Sequence, residues 1–163
     1  MLSQPQIYRV WEEGISCDMR ACYFGELVLK YNKRQQWTTT AQLILSGGAA
    51  GALALKIDSI ILPAVLSFLA AICGLYSLIA QNHKRAIEAS GIQAQWIETG
   101  RRYRYVWEHT WAEDAEARLE SADDLGAKAS GGSALFSMDQ NRLRHLFDHA
   151  EALWLARNGI QAT

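Results

Sequence analysis

A surplus of charge of either sign is missing from this chain: 16 Lys and Arg stand against 17 Asp and Glu in 163 residues. That balance excludes the global basic field of a chain that grips nucleic acid or anionic surfaces with its whole body, so any such partner must meet a local patch. Cysteine is scarce. Cys17, Cys22 and Cys73 show no metal-ligand spacing, and their placement makes a structural disulfide improbable, so all three read as reduced thiols. The first 30 residues lack a cleavable signal, because Arg9, Glu12, Glu13, Asp18, Arg20 and Glu26 break up any apolar core of signal type. No nucleophile arrangement, phosphate-cradling loop or paired-carboxylate motif stands out, which argues against an enzyme and implies no cofactor. Proline is absent from 81–125.

What is present is hydrophobicity, and it is concentrated. Half of the residues are apolar while the mean hydropathy is near zero, which requires an apolar block between polar flanks. That block is 37–80. Two uncharged runs, about 37–55 and 60–80, each have the ~20 residues that an α-helix needs to cross a hydrocarbon core of roughly 30 Å. The second run offers only Ser67, Tyr76 and Ser77 as polar side chains, whereas a soluble core helix keeps a polar face. The first is diluted by Thr38, Thr39, Thr40, Gln42, Ser46 and three glycines, but a tight reversal at 56–59 requires a first helix of matching length. The sequence therefore predicts an all-α membrane protein with a two-helix transmembrane hairpin. Lys30, Lys33 and Arg34 precede it, Lys84 and Arg85 follow it, and the turn holds Lys56 beside Asp58. Basic flanks on both sides place both termini in the cytoplasm of a bacterial inner membrane, with Trp37 at the headgroup layer.

The flanks read as helical. Residues 1 to about 15 suggest a loose or short helical start. Cys17, Ala21, Phe24, Val28 and Tyr31 then recur at spacings of four and three, giving 1–36 as a cytoplasmic N-terminal segment with an amphipathic helix that packs on the C-terminal half. The remainder, 81–163, is a cytoplasmic helical domain. The second run is expected to continue past Ala80 as one long helix, Gln81 to about Leu125, with Ile92, Trp96, Tyr103, Trp107 and Trp111 on one apolar stripe and Gly91 or Gly100 as a kink or break. Residues 126–133 have linker composition. Ser137 with Gln140 matches a capping box for a last helix that runs to about Arg157, with Leu143, Phe147, Ala150 and Trp154 inward and Asn158-Gly159 ending it.

Two groups of residues are candidates for function. Within the hairpin, Gly47 and Gly51 form a G-x-x-x-G, repeated one residue on by Gly48 and Ala52, and Ala70 and Gly74 repeat the spacing in the second run. Such faces let helices approach closely in lipid. Two helices alone leave Thr40, Gln42, Ser46, Ser67 and Ser77 with few partners, so a homo-oligomer is expected, with Gln42, Ser46, Gly47 and Ser67 lining or gating its pore. In the tail, Arg101, Arg102, Tyr103, Arg104 and Tyr105 offer three guanidiniums and two aromatics to a nucleotide or oligonucleotide. The competing reading is a set of surface ion pairs, Glu98 with Arg101 and Arg102, and Glu108 with Arg104. His145 and His149 share a helical face but lack a third metal ligand.

A polar amphipathic helix, a two-span hairpin with a very short external turn, basic residues at both cytoplasmic ends and a helical tail resemble the SLATT-type two-transmembrane effectors of bacterial anti-phage and conflict systems. The likeness runs from about Ser16 to Trp154 and is one of architecture. It implies an oligomeric, pore-forming or membrane-perturbing effector, held or released by a nucleotide signal from a partner nucleotidyltransferase, as in Hailong-like systems. The alternatives are a membrane anchor that recruits a soluble partner through its tail, and a holin-like lysis pore, which the elaborate tail disfavours.

Overall fold

The computed structural model describes residues 1–54 and 61–157, and among them it is all-helical, with 89% in helices and no strand. The helices are α1 (Gln4–Ala54), α2 (Ile61–Ala80), α3 (Asn82–Glu108), α4 (Ala115–Ser133) and α5 (Gln140–Arg157). The expected turn at 56–59 and the Asn158-Gly159 stop lie outside the described residues. Two compact units divide the chain, Met1–Glu26 with Ala89–Thr163, and Leu27–Glu88. The divisions fall inside α1 and α3.

The first unit is a helical bundle whose core is apolar. Trp96 is 1% exposed, and Phe24, Ile15, Val10 and Val106 are equally hidden. The Trp96 indole N–H donates to the Ser133 hydroxyl at 2.9 Å, and the Arg20 guanidinium lies 4.5 Å above its ring. Phe24 meets Phe136 edge-on. Of the expected stripes, Cys17, Ala21 and Phe24 are buried, as are Ile92, Trp96, Tyr103, Leu143, Ala150 and Trp154, whereas Trp107 is half-buried and Trp111 is 66% exposed.

Four local expectations give way in this unit. The chain start is not loose: the Gln6 side-chain oxygen accepts from both the amide and the hydroxyl of Ser3, and the Ile7 amide donates to the Ser3 carbonyl, so Ser3 caps α1. Pro5 sits in the first turn, where its missing N–H costs nothing. The helix expected to reach Leu125 stops at Glu108 without proline, and the Leu2 amide donates to the Thr110 carbonyl freed in the turn that follows. The supposed linker 126–133 is the second half of α4. Its small residues serve close packing: a side chain at Gly132 would begin 3.4 Å from Ile92, and Ala129 and Ser133 are buried. Finally, Asp139 and not Ser137 caps α5, its carboxylate accepting from the amides of Asn141 and Arg142. The Ser137 carbonyl and Asp139 amide are instead bridged by the Tyr23 hydroxyl.

The second unit instead leaves large apolar side chains uncovered. The Gln35 amide reaches the Ser77 hydroxyl at 3.5 Å, Gln42 lies against Gly74, and Gly48 against Leu66, so the late part of α1 and α2 run antiparallel along this length. On α2 the less exposed positions are Pro63, Leu66, Ala70, Cys73, Gly74 and Ser77, while Ile61, Phe68, Leu78 and Ile79 are 67–79% exposed. The run Ile61–Glu108 contains the one stretch among the described residues long and apolar enough to cross a membrane, and only 6% of that stretch is buried. A buried core helix passes the same test of length and composition, but it would not present its apolar side outward. The late part of α1 does not pass, because its threonines, Gln42, Ser46 and glycines lower its hydropathy. Between α2 and α3, Gln81 takes a left-handed φ of 46°, and next to it the Asn82 side-chain nitrogen is buried without a hydrogen-bond partner.

Candidate functional site

A groove of about 500 Å³ lies between α3 and α4, lined among others by Glu98, Arg101, Arg102, Tyr105, Asp114 and Arg118. The helical period brings Glu98, Arg101, Arg102 and Tyr105 to one side of α3, and the reversal at 109–114 brings α4 back beside them. Glu98 holds two arginines, Arg102 at 3.1 Å and Arg101 at 3.9 Å. Across the groove the Arg118 Nε donates to Asp114 at 2.7 Å. That hydrogen bond, with the guanidinium's charge, holds the Asp114 carboxyl below its usual range. The Tyr105 ring stacks on His109 at 4.2 Å, and the Arg118 guanidinium lies over it at 4.7 Å.

The five residues singled out in the sequence are therefore not brought together. Arg101, Arg102 and Tyr105 line the groove, but Tyr103 turns into the core, where its hydroxyl donates to Asp123 at 2.6 Å. Burial, with that hydrogen bond, raises the Tyr103 phenol well above its ordinary range. Arg104 also turns away, to Asp18 at 3.7 Å instead of Glu108. Sequence reasoning missed Arg118. Its signal was a lone arginine in an acidic stretch, four residues after Asp114, but its meeting with Arg101 and Arg102 depends on the α3–α4 reversal.

Three guanidiniums and two carboxylates give the groove an excess of one positive charge. Exposed ion pairs of this kind contribute little, so a phosphate can replace the carboxylates at little cost. The groove can thus hold an anion beside an aromatic ring, provided the ring yields one of the groups now engaging it.

In the second unit the hairpin residues fall into separate faces. Gln42 lies against Gly74, and the Ser46 hydroxyl donates back to the Gln42 carbonyl at 2.8 Å. Gly47 and Gly51 point roughly a third to a half of a turn away from those two positions on the helical wheel, and side chains added at either would meet nothing within 4 Å. Ser67 is exposed on α2. Among the described residues the G-x-x-x-G face is thus open, whereas Gly48 and Gly74 serve the α1–α2 contact. Comparison with known protein families, with characterised proteins and with solved structures found no match.

Proposed function

We propose that this chain is an oligomeric pore-forming effector of a bacterial inner membrane, in which the late part of α1 and α2 form a two-span hairpin with both termini in the cytoplasm. The observation that carries this reading is the outward apolar face of α2: Ser77 and Gly74 lie against α1 while Phe68, Leu78 and Ile79 are exposed. In water that arrangement would expose the apolar surface that folding normally hides. In lipid that apolar surface meets a matching solvent, and the Gln35–Ser77 contact satisfies polar groups between the helices. The open Gly47/Gly51 face supports association with further copies, and Gln42, Ser46 and Ser67 supply the polar groups for a conducting path.

The groove of Arg101, Arg102, Tyr105 and Arg118 is the input in this reading. A nucleotide or oligonucleotide made by a partner nucleotidyltransferase in an anti-phage system would bind the arrangement in which its arginines are free of Glu98 and Asp114. It biases the pore only through a difference in affinity between two states. Dye leakage and membrane potential on expression of the full chain test the pore. Wild type should permeabilise the membrane under its trigger, Gly47→Leu should not, and an unrelated two-span anchor in place of 37–80 should abolish the effect. Full activity from the anchor chimaera would show that the hairpin merely tethers the tail.

A further inference from the structure

The second unit contains a cluster that the pore reading leaves unused. A groove of about 400 Å³ is lined by Lys30, Lys33, Arg34, Trp37, Thr38 and Tyr76. Lys30, Lys33, Arg34 and Trp37 follow the spacing i, i+3, i+4, i+7 and so share one face of α1. A neighbouring groove of about 630 Å³ shares Lys33 and Trp37 with it, and no carboxylate lines either. The seven ion pairs among the described residues involve none of the three cations. From Leu27 to Ile57 the chain has no acidic residue at all. The Thr38 hydroxyl is already committed to the carbonyls of Arg34 and Gln35, which leaves the three cations, with the Trp37 N–H and the Tyr76 O–H beside them, as the groups available to an anion.

The aromatic and apolar surroundings decide what kind of anion. Trp37 is 68% and Tyr76 51% exposed, amphipathic rings of the kind that settle at a headgroup layer. From Tyr76, Ile72, Leu69 and Val65 continue along α2 at steps of four, three and four, each 42–49% exposed. A cationic socket thus opens onto an unbroken apolar track. We infer that this groove binds the phosphate headgroup of an anionic phospholipid, with an acyl chain along Ile72, Leu69 and Val65. A free phosphate would use the cations and leave the track idle. The inference rests on the bilayer reading given above, and it adds a specific lipid partner to it.

The test is native mass spectrometry of the full chain in detergent, titrated with phosphatidylglycerol and with phosphatidylcholine of the same acyl chains. Wild type should retain phosphatidylglycerol in preference. Each basic side chain near an anionic surface contributes roughly fivefold, so the triple change Lys30→Gln, Lys33→Gln, Arg34→Gln should lower that preference by roughly a hundredfold. The charge-preserving set Lys30→Arg, Lys33→Arg, Arg34→Lys should keep it, and excess inorganic phosphate should not displace the lipid. Equal retention of the two lipids, or a triple variant that behaves as wild type, overturns the inference, and displacement by phosphate overturns the lipid as its source. Alkaline extraction of membranes carrying the same proteins separates the two failures. Release of wild type brings down the bilayer reading together with the site, whereas firm retention without lipid preference brings down the site alone.

Discussion

The two units share one secondary structure and oppose each other in what they hide. Around Trp96 the bundle buries aromatic and aliphatic side chains and leaves its charges outside, whereas α2 turns Ser77 and Gly74 toward α1 and leaves Phe68 and Ile79 uncovered. Helical periodicity alone does not distinguish these cases, since both place residues on faces. On the proposed reading, what differs is the solvent each face meets. The hydrophobic effect drives the first arrangement and gives no drive to the second, where packing of small residues and internal satisfaction of polar groups take over.

The sharpest way to break this contrast is to remove a large side chain from each unit. Trp96→Ala should destabilise the bundle by about 3–5 kcal/mol, since it leaves a cavity and strips Ser133 and Arg20 of a partner. Phe68→Ala should leave bundle unfolding within about 0.5 kcal/mol of wild type. Denaturation of the full chain in detergent, followed by near-ultraviolet circular dichroism, checks both. A comparable loss in each would mean that Phe68 is a core residue and the contrast is false.

Glycines sharpen it next. A Cβ at Gly14 would come within 2.5 Å of the buried Trp154 ring, itself held by Asp18 at 2.9 Å, so Gly14→Ala should cost about 1–3 kcal/mol through overpacking. At Gly47 the same change meets open space and should raise intrinsic helix stability by up to roughly 1 kcal/mol. Its effect should appear instead as a smaller assembled mass by light scattering in detergent, if copies meet there. An unchanged mass would show that this face is not the interface.

Acid should act on the bundle as well. The hydrogen bond from Arg142 at 2.9 Å, with its charge, keeps the Glu26 carboxyl below its ordinary value of 4.5. Its unfolded form binds the proton first, so the pair's contribution is present above about pH 4.5 and is lost as pH falls through the lower folded value. Glu26→Gln should flatten that acid limb of a thermal-stability profile by only a few tenths of a kcal/mol, because the pair is exposed. The smallest effect concerns thiols. Burial pushes the Cys17 thiol up to about 12, so an alkylating reagent at neutral pH should label the exposed Cys22 well before Cys17, and equal labelling would show that the bundle opens readily.

Much of this was legible in the sequence where one physical effect dominates. The uncharged run that became α2 declared itself by length, and the inward stripe of Leu143, Ala150 and Trp154 by period. Misreadings arose where one residue type serves two ends. Glycine and serine at 126–133 suggested a linker, yet the same small side chains let α4 approach Ile92 and Thr99. Residues 1 to about 15 suggested a loose or short helical start, yet Pro5 is tolerated in the first turn of a long helix that Ser3 caps. The candidate groove was only half legible. Arg101 and Arg102 are adjacent in sequence, but Arg118 joins them through a chain reversal that no proline or glycine announces, and the burial of Tyr103 depends on Asp123, twenty residues away.

The outward apolar face of α2 is tested most directly by a nitroxide label at Phe68→Cys in the full chain, reconstituted in phospholipid vesicles, with the same label at Ala117→Cys on α4 for comparison. Lipid contact predicts frequent collisions with oxygen and few with a water-soluble nickel complex at position 68, and the opposite at 117. A label at 68 that nickel reaches as easily as the one at 117 would contradict the account.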